Sequence, residues 1–508
     1  MQEIARWLAA IAPAGQLASD SRRIGPGDVF FAYPGDAGDG RRFIGAAIAQ
    51  GAAAVLHEGQ DFDWDPAWRV PHLAVAGLKK LAGPIAHAFY GQPDSAMFSV
   101  GVTGTNGKTS SALWLGQALA RLGRPSAVIG TLGVGLYQGR NTPEFDVTGY
   151  TTPDAVLLAR TLAALRGQGA AALAIEVSSI GLDQARTAGM HFDVALLTNL
   201  TRDHLDYHGD MAAYEAAKNR LFDWPGLQSA VLNLDDPMGA RLAARLAGTL
   251  PGRLPLLGYT LADAATVPDA GAVVMLRASQ LRSRAAGTEF HLDSPFGAAV
   301  VKTQLVGAFN ISNALGVLGA LLAGGAPWRA ALDAIEALVP APGRMQQVGG
   351  QDAPMVVIDY AHTPDALDQT LRTLRQVAQE RGGQLWCVFG CGGERDQGKR
   401  PQMGAIAQLA DHVLVTSDNP RGEEPHAIIG QIVAGMDRAR PGCALQTIED
   451  RAAAILSAVK HAAKADVILL AGKGHEPYQE IKGKKLPFSD AEHAQLALSA
   501  RLTMMRTN

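Results

Sequence analysis

Short apolar runs, each ending in a glycine or polar turn and followed by a helix-like stretch, constrain the fold of this chain most strongly. In its middle part these runs are FSVGVTG, PSAVIGTLG, AALAIEVSS, FDVALLTNL and SAVLNLDD. Such alternation predicts a mainly parallel sheet with helices on both faces. Three further runs near 270–305, GAVVMLRAS, GTEFHLDSP and AAVVKTQLVG, alternate instead as antiparallel strands do, and they are predicted to extend one edge of that sheet.

The length of the chain requires several such units, because 508 residues exceed a single hydrophobic core and suggest about three domains. Short strands mixed with alanine-rich stretches fill the segment before GQPDS, and a Pro/Gly-rich boundary, LVPAPGRMQQV, precedes a renewed α/β rhythm. We predict an α/β protein of three domains. They are a small N-terminal α/β domain (1–94), a central P-loop-type domain with a mainly parallel sheet flanked by helices (95–342), and a C-terminal Rossmann-like α/β domain (343–508).

Charge and composition exclude several classes of partner. A formal net charge of −3 provides no field that would recruit nucleic acid, and no apolar run reaches the roughly 18 residues that membrane insertion needs. The start, MQEIARWLAAIAPAG, is typical of an amphipathic helix rather than a signal peptide. Three cysteines fit a reducing compartment, and WCVFGCGG is typical of a buried strand rather than a metal site. We therefore expect a cytoplasmic protein.

The stretch GVTGTNGKTS (101–110) follows an apolar strand and opens a helical pattern. Its glycines allow a tight turn that presents N–H groups to an anion, Lys108 adds a full charge, and the Thr109 hydroxyl is a ligand for Mg²⁺. Val102 stands where the usual GxxxxGK[ST] spacing has its first glycine. The pattern predicts a nucleotide phosphate site; the alternative is a glycine turn followed by a surface lysine.

Polar residues at the ends of the next strands add to this pattern. Glu176 follows the run ALAI, and a carboxylate beside phosphates needs a metal ion to neutralise it, although a capping or salt-bridged role is the alternative. After LLTNLTR come Asp203, His204, Asp206 and His208, a cluster that suits a metal or phosphate role or a simple helix cap.

Lys218 in YEAAKNRLF lies four residues after Tyr214 and four before Phe222. On a helix this spacing places the lysine on one face with two aromatic residues. Such a lysine usually extends its ammonium to solvent, so this motif alone indicates no function.

Ten motifs occur in an order that resembles the Mur ligases over essentially the whole chain, and most closely the members that add 2,6-diaminopimelate. They are GVTGTNGKTS, EVSSIGLDQAR, TNLTRDHLDYHG, YEAAKNRLF, GAFNISNALG, PGRMQQV, VIDYAHTPDAL, FGCGGERDQGKRP, TSDNPRGEEP and AGKGHEP. The resemblance implies an ATP-dependent ligase that adds meso-2,6-diaminopimelate to the D-Glu γ-carboxylate of UDP-N-acetylmuramoyl-L-Ala-D-Glu through an acyl phosphate. Such an enzyme would serve peptidoglycan precursor synthesis, and with it cell shape and division.

The resemblance also implies residues for ATP and for metal ions. ATP would be bound by Gly104, Thr105, Asn106, Gly107, Lys108, Thr109, Ser110, Asn310, Arg344 and Asp359. One Mg²⁺ would bind Thr109 and Glu176, and a second would bind His204 and Lys218. In the family this lysine is carbamylated by CO₂, which turns a cation that repels a metal into an anionic ligand. Lys108, Glu176, His204 and Lys218 would form the catalytic set.

For the UDP-linked substrate, the family's contacts fall on Ser19, Ser21, Thr151, Thr152, Ser178, Gln184 and Arg186. Two places depart from the pattern of relatives. Tyr150 precedes the threonine pair where some relatives have asparagine, and GDAGDG differs from HQADG, so the resemblance assigns no contact to 36–38.

For the amino-acid acceptor, the implied pocket consists of Arg395, Asp418, Asn419, Pro420, Arg421, Gly472 and Glu476. The DNPR pattern is associated with diaminopimelate, and Arg421 can hold the distal carboxylate that lysine lacks with two parallel hydrogen bonds. Glu476 is expected to pair with the acceptor's distal ammonium.

The expected partners are these small molecules alone, bound by a monomer. The alternatives within enzymes are a lysine-adding member, the later ligase of the same pathway or a folylpolyglutamate synthase, against which DNPR and ASDSRR argue. A non-enzyme alternative is an ATP-gated regulatory or scaffolding protein. Such a protein should have lost one of the four catalytic residues, and this chain keeps all four.

Overall fold

The structure is a computed structural model that describes residues 1–35, 38–139, 143–262, 273–284, 287–350, 352–437 and 440–507. Its four sheets follow one another along the chain: a four-stranded sheet, a ten-stranded sheet, a six-stranded sheet and a two-stranded hairpin. The predicted α/β class with a mainly parallel central sheet is confirmed. In the described part of the chain, no helix combines the length and the hydropathy required to cross a bilayer.

The first sheet is parallel, with its strands in chain order, and is covered by three helices. Its elements are α1 (Gln2–Ile11), β1 (Leu17–Ala18), β2 (Val29–Ala32), α2 (Ile44–Ala49), β3 (Ala54–Glu58), β4 (His72–Val75) and α3 (Leu78–Phe89). The expected first helix forms because Ala5 and Leu8 are buried on one face.

The central sheet has the order β14-β13-β12-β11-β10-β9-β5-β8-β6-β7. Its elements are β5 (Phe98–Thr103), α4 (Lys108–Arg121), β6 (Ser126–Gly130), β7 (Gly133–Tyr137), α5 (Ala155–Gly167), β8 (Ala172–Glu176), α6 (Ser179–Asp183), β9 (Val194–Leu197), α7 (Leu205–His208), α8 (Met211–Asn219), β10 (Ser229–Asn233), α9 (Pro237–Leu246), β11 (Leu256–Thr260), β12 (Val274–Arg284), β13 (Gly287–Ser294), β14 (Gly297–Thr303), α10 (Ala308–Ala323) and α11 (Trp328–Glu336).

The expected antiparallel edge is present, since β13 pairs antiparallel with both β12 and β14. The parallel pair β11–β12 joins this edge to the rest of the sheet. Helix α5 packs on the first sheet as well, because Val156 and Ala159 lie in the same buried cluster as Phe31 and Ile85. The first and second sheets therefore share part of a core.

The C-terminal sheet has the order β15-β16-β20-β17-β18-β19, with only β15 antiparallel among its pairs. The elements of this region are β15 (Gln346–Gly349), β16 (Met355–Asp359), α12 (Pro364–Arg381), β17 (Leu385–Phe389), α13 (Lys399–Ala407), β18 (His412–Val415), α14 (Pro425–Val433), β19 (Ala444–Thr447), α15 (Arg451–His461), β20 (Val467–Ala471), β21 (Tyr478–Ile481), β22 (Lys484–Pro487) and α16 (Asp490–Thr507). The buried strands β16, β17, β18 and β20 belong to the α/β rhythm predicted for this region. In the central sheet, the buried strand β11 and the antiparallel strand β7 were not predicted. The exposed strands β15 and β19 and the hairpin β21–β22 carry no apolar signal and were missed.

Strand register places the candidate residues together. In the central sheet Val102 pairs with Glu176 and Thr103 with Leu197, so the loop after β5 meets the carboxyl ends of β8 and β9. In the C-terminal sheet Asp359 and Phe389 both pair with Ala471. Because ligands of open parallel sheets bind beyond the carboxyl ends of the strands, both edges are the expected places for a site.

Candidate active site

The loop from Gly104 to Ser110 joins β5 to the N-terminus of α4, where free N–H groups and the helix dipole favour an anion. Gly104 has φ +146° and Gly107 has φ +85°, and a Cβ at Gly104 would lie 1.9 Å from Thr198 Oγ1. The Asn106 N–H donates to Asn199 Oδ1 over 2.9 Å. The glycines are thus needed both for backbone conformation and for close packing against the segment that follows β9.

Two lysines converge on this loop. Lys108 Nζ donates to the carbonyl oxygens of Gly104 and Thr105, each over 2.8 Å, and Lys218 Nζ donates to Gly104 O over 2.8 Å. Lys218 is 1% exposed and lies over the ring of Tyr214, 4.4 Å from its centroid. Burial and the nearby charge of Lys108 hold the pKa of Lys218 well below its usual range. This side chain does not reach solvent, contrary to the usual behaviour of a helical lysine.

The prediction that Lys218 shares one helical face with Tyr214 and Phe222 is correct for Tyr214 only. The stacking on Tyr214 is present, and the Tyr214 hydroxyl lies 3.1 Å from Thr105 Oγ1. Helix α8, however, ends at Asn219, and Phe222 lies in a 3₁₀ turn over 220–223. The chain changes helix type before the fourth residue is reached, which a constant helical spacing does not anticipate.

Glu176 is buried at the end of β8 and is surrounded by donors. Its carboxylate accepts hydrogen bonds from the Thr109 hydroxyl (3.0 Å), the Thr131 N–H (2.8 Å) and the Thr131 hydroxyl (3.2 Å). A Cβ at Gly130 would lie 2.1 Å from Glu176 Oε1, so only glycine fits there. The predicted pair Thr109–Glu176 is therefore brought together, and Thr131 is a further member that the sequence did not reveal.

The two histidines of the cluster after β9, His204 and His208, lie in different environments. His204 has φ 52°, and its Nε2 lies 3.5 Å from Asp203 Oδ2. Burial lowers the pKa of His204, which keeps its imidazole neutral and able to bind a metal. His208 instead lies 3.0 Å from Ser179 Oγ through Nε2. Within the described residues, no group of three or more His, Cys, Asp or Glu side chains could hold a metal ion.

Residues of the C-terminal region contact the loop. Arg344 Nη2 donates to Thr109 Oγ1 over 3.2 Å, and Asn106 Nδ2 donates to Asp365 Oδ2 over 3.2 Å. The Arg344 guanidinium lies 4.5 Å from the centroid of the Tyr360 ring. Sequence reasoning found Arg344 through the resemblance, but Asp365 and Tyr360 were missed because their proximity depends on how the two sheets meet.

The other two predicted ATP residues have protein partners. Asp359 Oδ2 accepts the Met345 N–H over 2.8 Å, and burial raises the pKa of this carboxyl although Arg344 opposes the change. Asn310 Nδ2 donates to Val306 O over 2.8 Å. One turn further along α10, Asn313 faces the loop, where a Cβ at Gly107 would lie 2.6 Å from Asn313 Oδ1. Asn313 is thus another residue that the sequence did not identify.

A cleft of about 1350 Å³ lies between the first sheet and the central sheet. Of the residues predicted for the UDP-linked substrate, Ser19, Ser21, Gln184 and Arg186 line it. Five basic residues that the sequence had not singled out line it as well: Arg22, Arg23, Arg42, Lys79 and Arg160. A dense set of cations in one cleft suits a polyanionic ligand.

The remaining predicted residues connect this cleft to Glu176. Thr152 Oγ1 donates to the carbonyl oxygen of Glu176 over 2.8 Å and accepts the Ser178 N–H over 3.1 Å. Thr151 Oγ1 lies 3.1 Å from Thr131 Oγ1. Arg186 Nη1 donates to the Thr152 carbonyl over 2.9 Å, so one continuous network runs from cleft to loop.

The two departures from the family pattern lie at the same cleft. Tyr150 lines it, 54% exposed, with the Arg186 guanidinium 5.4 Å from the centroid of its ring. Gly38 also lines the cleft, whereas positions 36 and 37 lie outside the described residues.

At the carboxyl edge of the C-terminal sheet, Asn419 and Glu476 are joined by a buried lysine. Lys473, with a fully buried side chain, donates to Asn419 Oδ1 over 3.1 Å and to Glu476 Oε2 over 3.0 Å. Asn419 Nδ2 also donates to Glu476 Oε2, over 2.8 Å. Glu476 is predicted to bind an ammonium of the acceptor. In the protein its Oε2 already accepts hydrogen bonds from Lys473 and Asn419.

The other predicted acceptor residues surround this trio. A Cβ at Gly472, which has φ +109°, would lie 2.6 Å from Asp418 Oδ2. A Cβ at Gly392 would lie 2.9 Å from Arg421 Nη1 and 3.8 Å from Arg395 Cγ, so both arginines pass alongside this glycine. Pro420 follows directly in the same loop. Three cations (Arg395, Arg421 and Lys473) and two carboxylates (Asp418 and Glu476) at one edge suit a ligand that carries both charges.

Three family models match the chain. They are described as Mur ligase family, catalytic domain (16–90), Mur ligase middle domain (102–321) and Mur ligase, glutamate ligase domain (343–474). A protein of Janthinobacterium sp. (strain Marseille), named UDP-N-acetylmuramoyl-L-alanyl-D-glutamate--2,6-diaminopimelate ligase, is 62% identical over 502 residues, which cover 99% of this chain and 97% of the relative. A protein of the same name from Ralstonia nicotianae is 53% identical, covering 97% of this chain and 95% of the relative.

Among solved structures, one titled as that same ligase superposes with a TM-score of 0.66 at 35% sequence identity. The superposition covers 96% of this chain and 95% of the other. Sequence and fold thus agree over nearly the full length of both chains.

Proposed function

This chain belongs to the Mur ligase family, and we propose that it is an ATP-dependent ligase that joins 2,6-diaminopimelate to the D-Glu γ-carboxylate of UDP-N-acetylmuramoyl-L-Ala-D-Glu. The observation that carries this proposal is the 62% identity to a relative of that name, which extends over nearly the full length of both chains. The product would be a peptidoglycan precursor. The geometry of the site supports the same reaction, as follows.

ATP is the substrate that activates the carboxylate. The loop from Gly104 to Ser110 would hold its phosphates, with positive charge supplied by Lys108 and by Arg344, which donates to the Thr109 hydroxyl. Asn310 and Asp359 complete the set that the family pattern assigns to ATP. Phosphoryl transfer to the D-Glu carboxylate would form an acyl phosphate, and the charge spread over the transferred group is what these cations stabilise.

Thr109 and Glu176 fit a magnesium ion, because their hydroxyl and carboxylate oxygens are 3.0 Å apart and Mg²⁺ prefers such ligands. His204 and Lys218, which both lie next to the Tyr214 ring, fit a second ion only if Lys218 becomes anionic. When bound, the ions would neutralise charge on the phosphates. Without them, the protein's own role is to hold these oxygens and the neutral imidazole in place.

We propose that Lys218 becomes anionic by carbamylation. Only a neutral amine attacks CO₂, and the depressed pKa of Lys218 favours that form near neutral pH. The amine nitrogen forms a bond to the CO₂ carbon, one C–O π bond opens, and the ammonium proton passes to a base from solvent. This leaves N6-carboxylysine, whose single negative charge is shared by two oxygens. The nearby Lys108 ammonium would stabilise the resulting charge.

The UDP-linked substrate would occupy the 1350 Å³ cleft between the first and central sheets. Its contacts would come from Ser19, Ser21, Thr151, Thr152, Ser178, Gln184 and Arg186. The network from Arg186 through Thr152 to Glu176 supports this placement, since it would position the D-Glu end of the substrate near the phosphate loop.

The acceptor would bind at the edge of the C-terminal sheet, where Arg395, Asp418, Asn419, Pro420, Arg421, Gly472 and Glu476 lie. Its amine would attack the acyl phosphate carbon, and phosphate would leave from the tetrahedral intermediate as the amide forms. We assign Arg421 to the distal carboxylate. Glu476 shares its Oε2 with Lys473 and Asn419, and Asp418 offers a second carboxylate beside it for the distal ammonium.

Further parts of the proposal concern organisation. We propose domains at 1–94, 95–342 and 343–508, which the separate sheets support. We also propose a monomer in the cytoplasm, where its free cysteines, two of them buried, fit a reducing environment.

The reaction is tested by omission. Phosphate release from purified protein should require ATP, Mg²⁺, the UDP-muramoyl dipeptide and diaminopimelate together. Equal or better turnover with L-lysine would contradict the acceptor assignment and favour a lysine-adding member. Tight ATP binding without turnover under any acceptor, including D-alanyl-D-alanine and glutamate, would favour the regulatory or scaffolding alternative.

A further inference from the structure

The hairpin β21–β22 packs against the loop Asp418–Arg421, which we call the acceptor loop. Every residue of this loop except Pro420 forms a hydrogen bond with the hairpin segment. Gln479 Nε2 donates to Asp418 O over 2.8 Å, and the Glu480 N–H donates to Asn419 Oδ1 over 2.9 Å. The Arg421 N–H donates to Glu480 O over 2.9 Å, and the Lys482 N–H donates to Arg421 O over 2.7 Å. The hairpin thus fixes the backbone of the loop from which Arg421 projects.

The backbone of Arg421 needs this support. Its φ of 52° lies in the left-handed region, which is costly for a residue with a Cβ by about 1 kcal/mol or more. The two backbone hydrogen bonds to the hairpin offset that cost and fix the direction in which the Arg421 side chain leaves the loop.

The guanidinium of Arg421 is then held from two sides. Glu480 Oε2 lies 3.2 Å from Nε, and Nη1 donates to the carbonyl oxygen of Gly393 over 2.8 Å. Both side chains of the ion pair are mostly buried, with 18% of Arg421 and 27% of Glu480 exposed. Among the described residues, the bond to Gly393 is the only hydrogen bond that the Arg421 guanidinium donates. Nη2 and the second Nη1 hydrogen therefore remain available for a ligand carboxylate.

We propose that Glu480 is a positioning residue that orients Arg421 toward the distal carboxylate of the acceptor and so sharpens the choice of diaminopimelate over lysine. The inference rests on the proposed function. Glu480 faces Nε and Gly393 takes one Nη1 hydrogen, which leaves Nη2 and the second Nη1 hydrogen for bidentate binding. A guanidinium held in one orientation before binding loses less conformational freedom when the carboxylate arrives.

The opposite role has a distinct signature. If the Glu480 carboxylate instead competed with the acceptor for Arg421, its removal would tighten acceptor binding. Neutralising Glu480 should therefore raise the KM for diaminopimelate if Glu480 orients Arg421. It should lower this KM if Glu480 competes with the acceptor.

The variant Glu480→Gln tests the proposal, because the backbone of residue 480 keeps its hydrogen bonds to Asn419 Oδ1 and from the Arg421 N–H. With ATP and the UDP-muramoyl dipeptide saturating, we expect the KM for diaminopimelate to rise about two- to fivefold, the range for a partly exposed ion pair. The kcat and the KM for ATP should not change, and discrimination against L-lysine should fall by the same factor.

Glu424→Gln is the matched control, because it removes the exposed 3.4 Å ion pair between Glu424 and Lys482 of the same hairpin without touching Arg421. A second comparison places Glu480→Gln in an Arg421→Ala background, where it should have no further effect on the acceptor KM.

A lower or unchanged KM in Glu480→Gln would overturn the proposal, as would an effect that persists in full without Arg421. Failure of the wild-type protein to use diaminopimelate at all would instead contradict the proposed function.

Discussion

Lys218 Nζ donates a 2.8 Å hydrogen bond to the carbonyl oxygen of Gly104, a residue 114 positions earlier in the chain. The same carbonyl accepts from Lys108 Nζ, so two lysine side chains meet at one oxygen of the phosphate loop. Two ammonium groups bound to the same oxygen would repel each other. The charge of Lys108 is therefore one reason, after burial, why the pKa of Lys218 is depressed. The buried amine with its depressed pKa is the feature from which the first prediction follows.

Replacing Lys218 by alanine is expected to lower kcat by about 100-fold or more, the size typical of removing one group that stabilises the transition state. Because the carbamate would supply a carboxylate-like ligand, added short carboxylic acids should restore part of the activity. Steady-state phosphate release measures both effects. Lys464→Ala, which removes an exposed lysine paired with Asp352, is the control and should retain full activity. Full activity of Lys218→Ala, or no rescue at any acid concentration, would remove the carbamate from the mechanism.

Changing Glu176 to glutamine keeps the shape of the side chain but removes its charge beside Thr109. We expect kcat/KM to fall about 100-fold, and the Mg²⁺ concentration needed for half-maximal rate to rise. A titration of activity against Mg²⁺ measures this shift. Glu215→Gln, at the surface ion pair with Arg241, serves as the comparison. An unchanged Mg²⁺ requirement would show that Glu176 has only a structural role.

Lys473→Met leaves Glu476 and Asn419 without their shared buried donor. We expect a loss of about 1–3 kcal/mol in the free energy of unfolding, since a polar group left unsatisfied costs that much. The KM for diaminopimelate should rise while the KM for ATP is unchanged, because the disturbed residues belong to the acceptor pocket. Chemical denaturation and acceptor titrations give the two readouts. If the methionine variant does not fold, Lys473→Arg serves instead, because it keeps the charge. An unaltered KM for diaminopimelate in both variants would refute the assignment of these residues to the acceptor pocket.

His362 makes stability depend on pH. Burial, together with the charge of Lys399, lowers the pKa of its imidazole to about 4, below the value of about 6.5 expected in the unfolded chain. The folded state therefore binds fewer protons between these two values, and the stabilisation present above pH 6.5 is lost as the pH falls toward 4. At pH 5 this loss amounts to about 2 kcal/mol.

Thermal unfolding midpoints at pH 7 and pH 5 test this expectation. The wild-type midpoint should fall by more than that of His362→Gln, whose side chain does not titrate in this range. His461→Gln, at an exposed position in helix α15, is the control and should retain the wild-type difference. Equal shifts in the wild-type and His362→Gln proteins would contradict the assigned pKa.

Much of the fold follows from local pattern. Apolar runs such as AALAIEV and FDVALL form buried strands because their residues are covered on both faces, and each was predicted. The half-buried strand Tyr478–Ile481 carries no such pattern and was missed, although its hairpin orders the loop Asp418–Arg421. Its position is determined by hydrogen bonds to Asn419 and Arg421, about 60 residues away in sequence. Long-range pairing of this kind leaves no local signal.

The sequence by itself determined the α/β class, the phosphate loop with Lys108 and Thr109, and the motif order that resembles the Mur ligases. These depend on residue types at short spacings, where backbone conformation and periodicity are decided locally. Only the tertiary structure decided that Lys218 is buried against Gly104, that Glu476 is paired with Lys473, and that Glu480 faces Arg421. The physical reason is that burial and charge pairing depend on which distant segments the packed sheets bring together. The pKa of Lys218 and the direction of Arg421 are therefore properties of the fold.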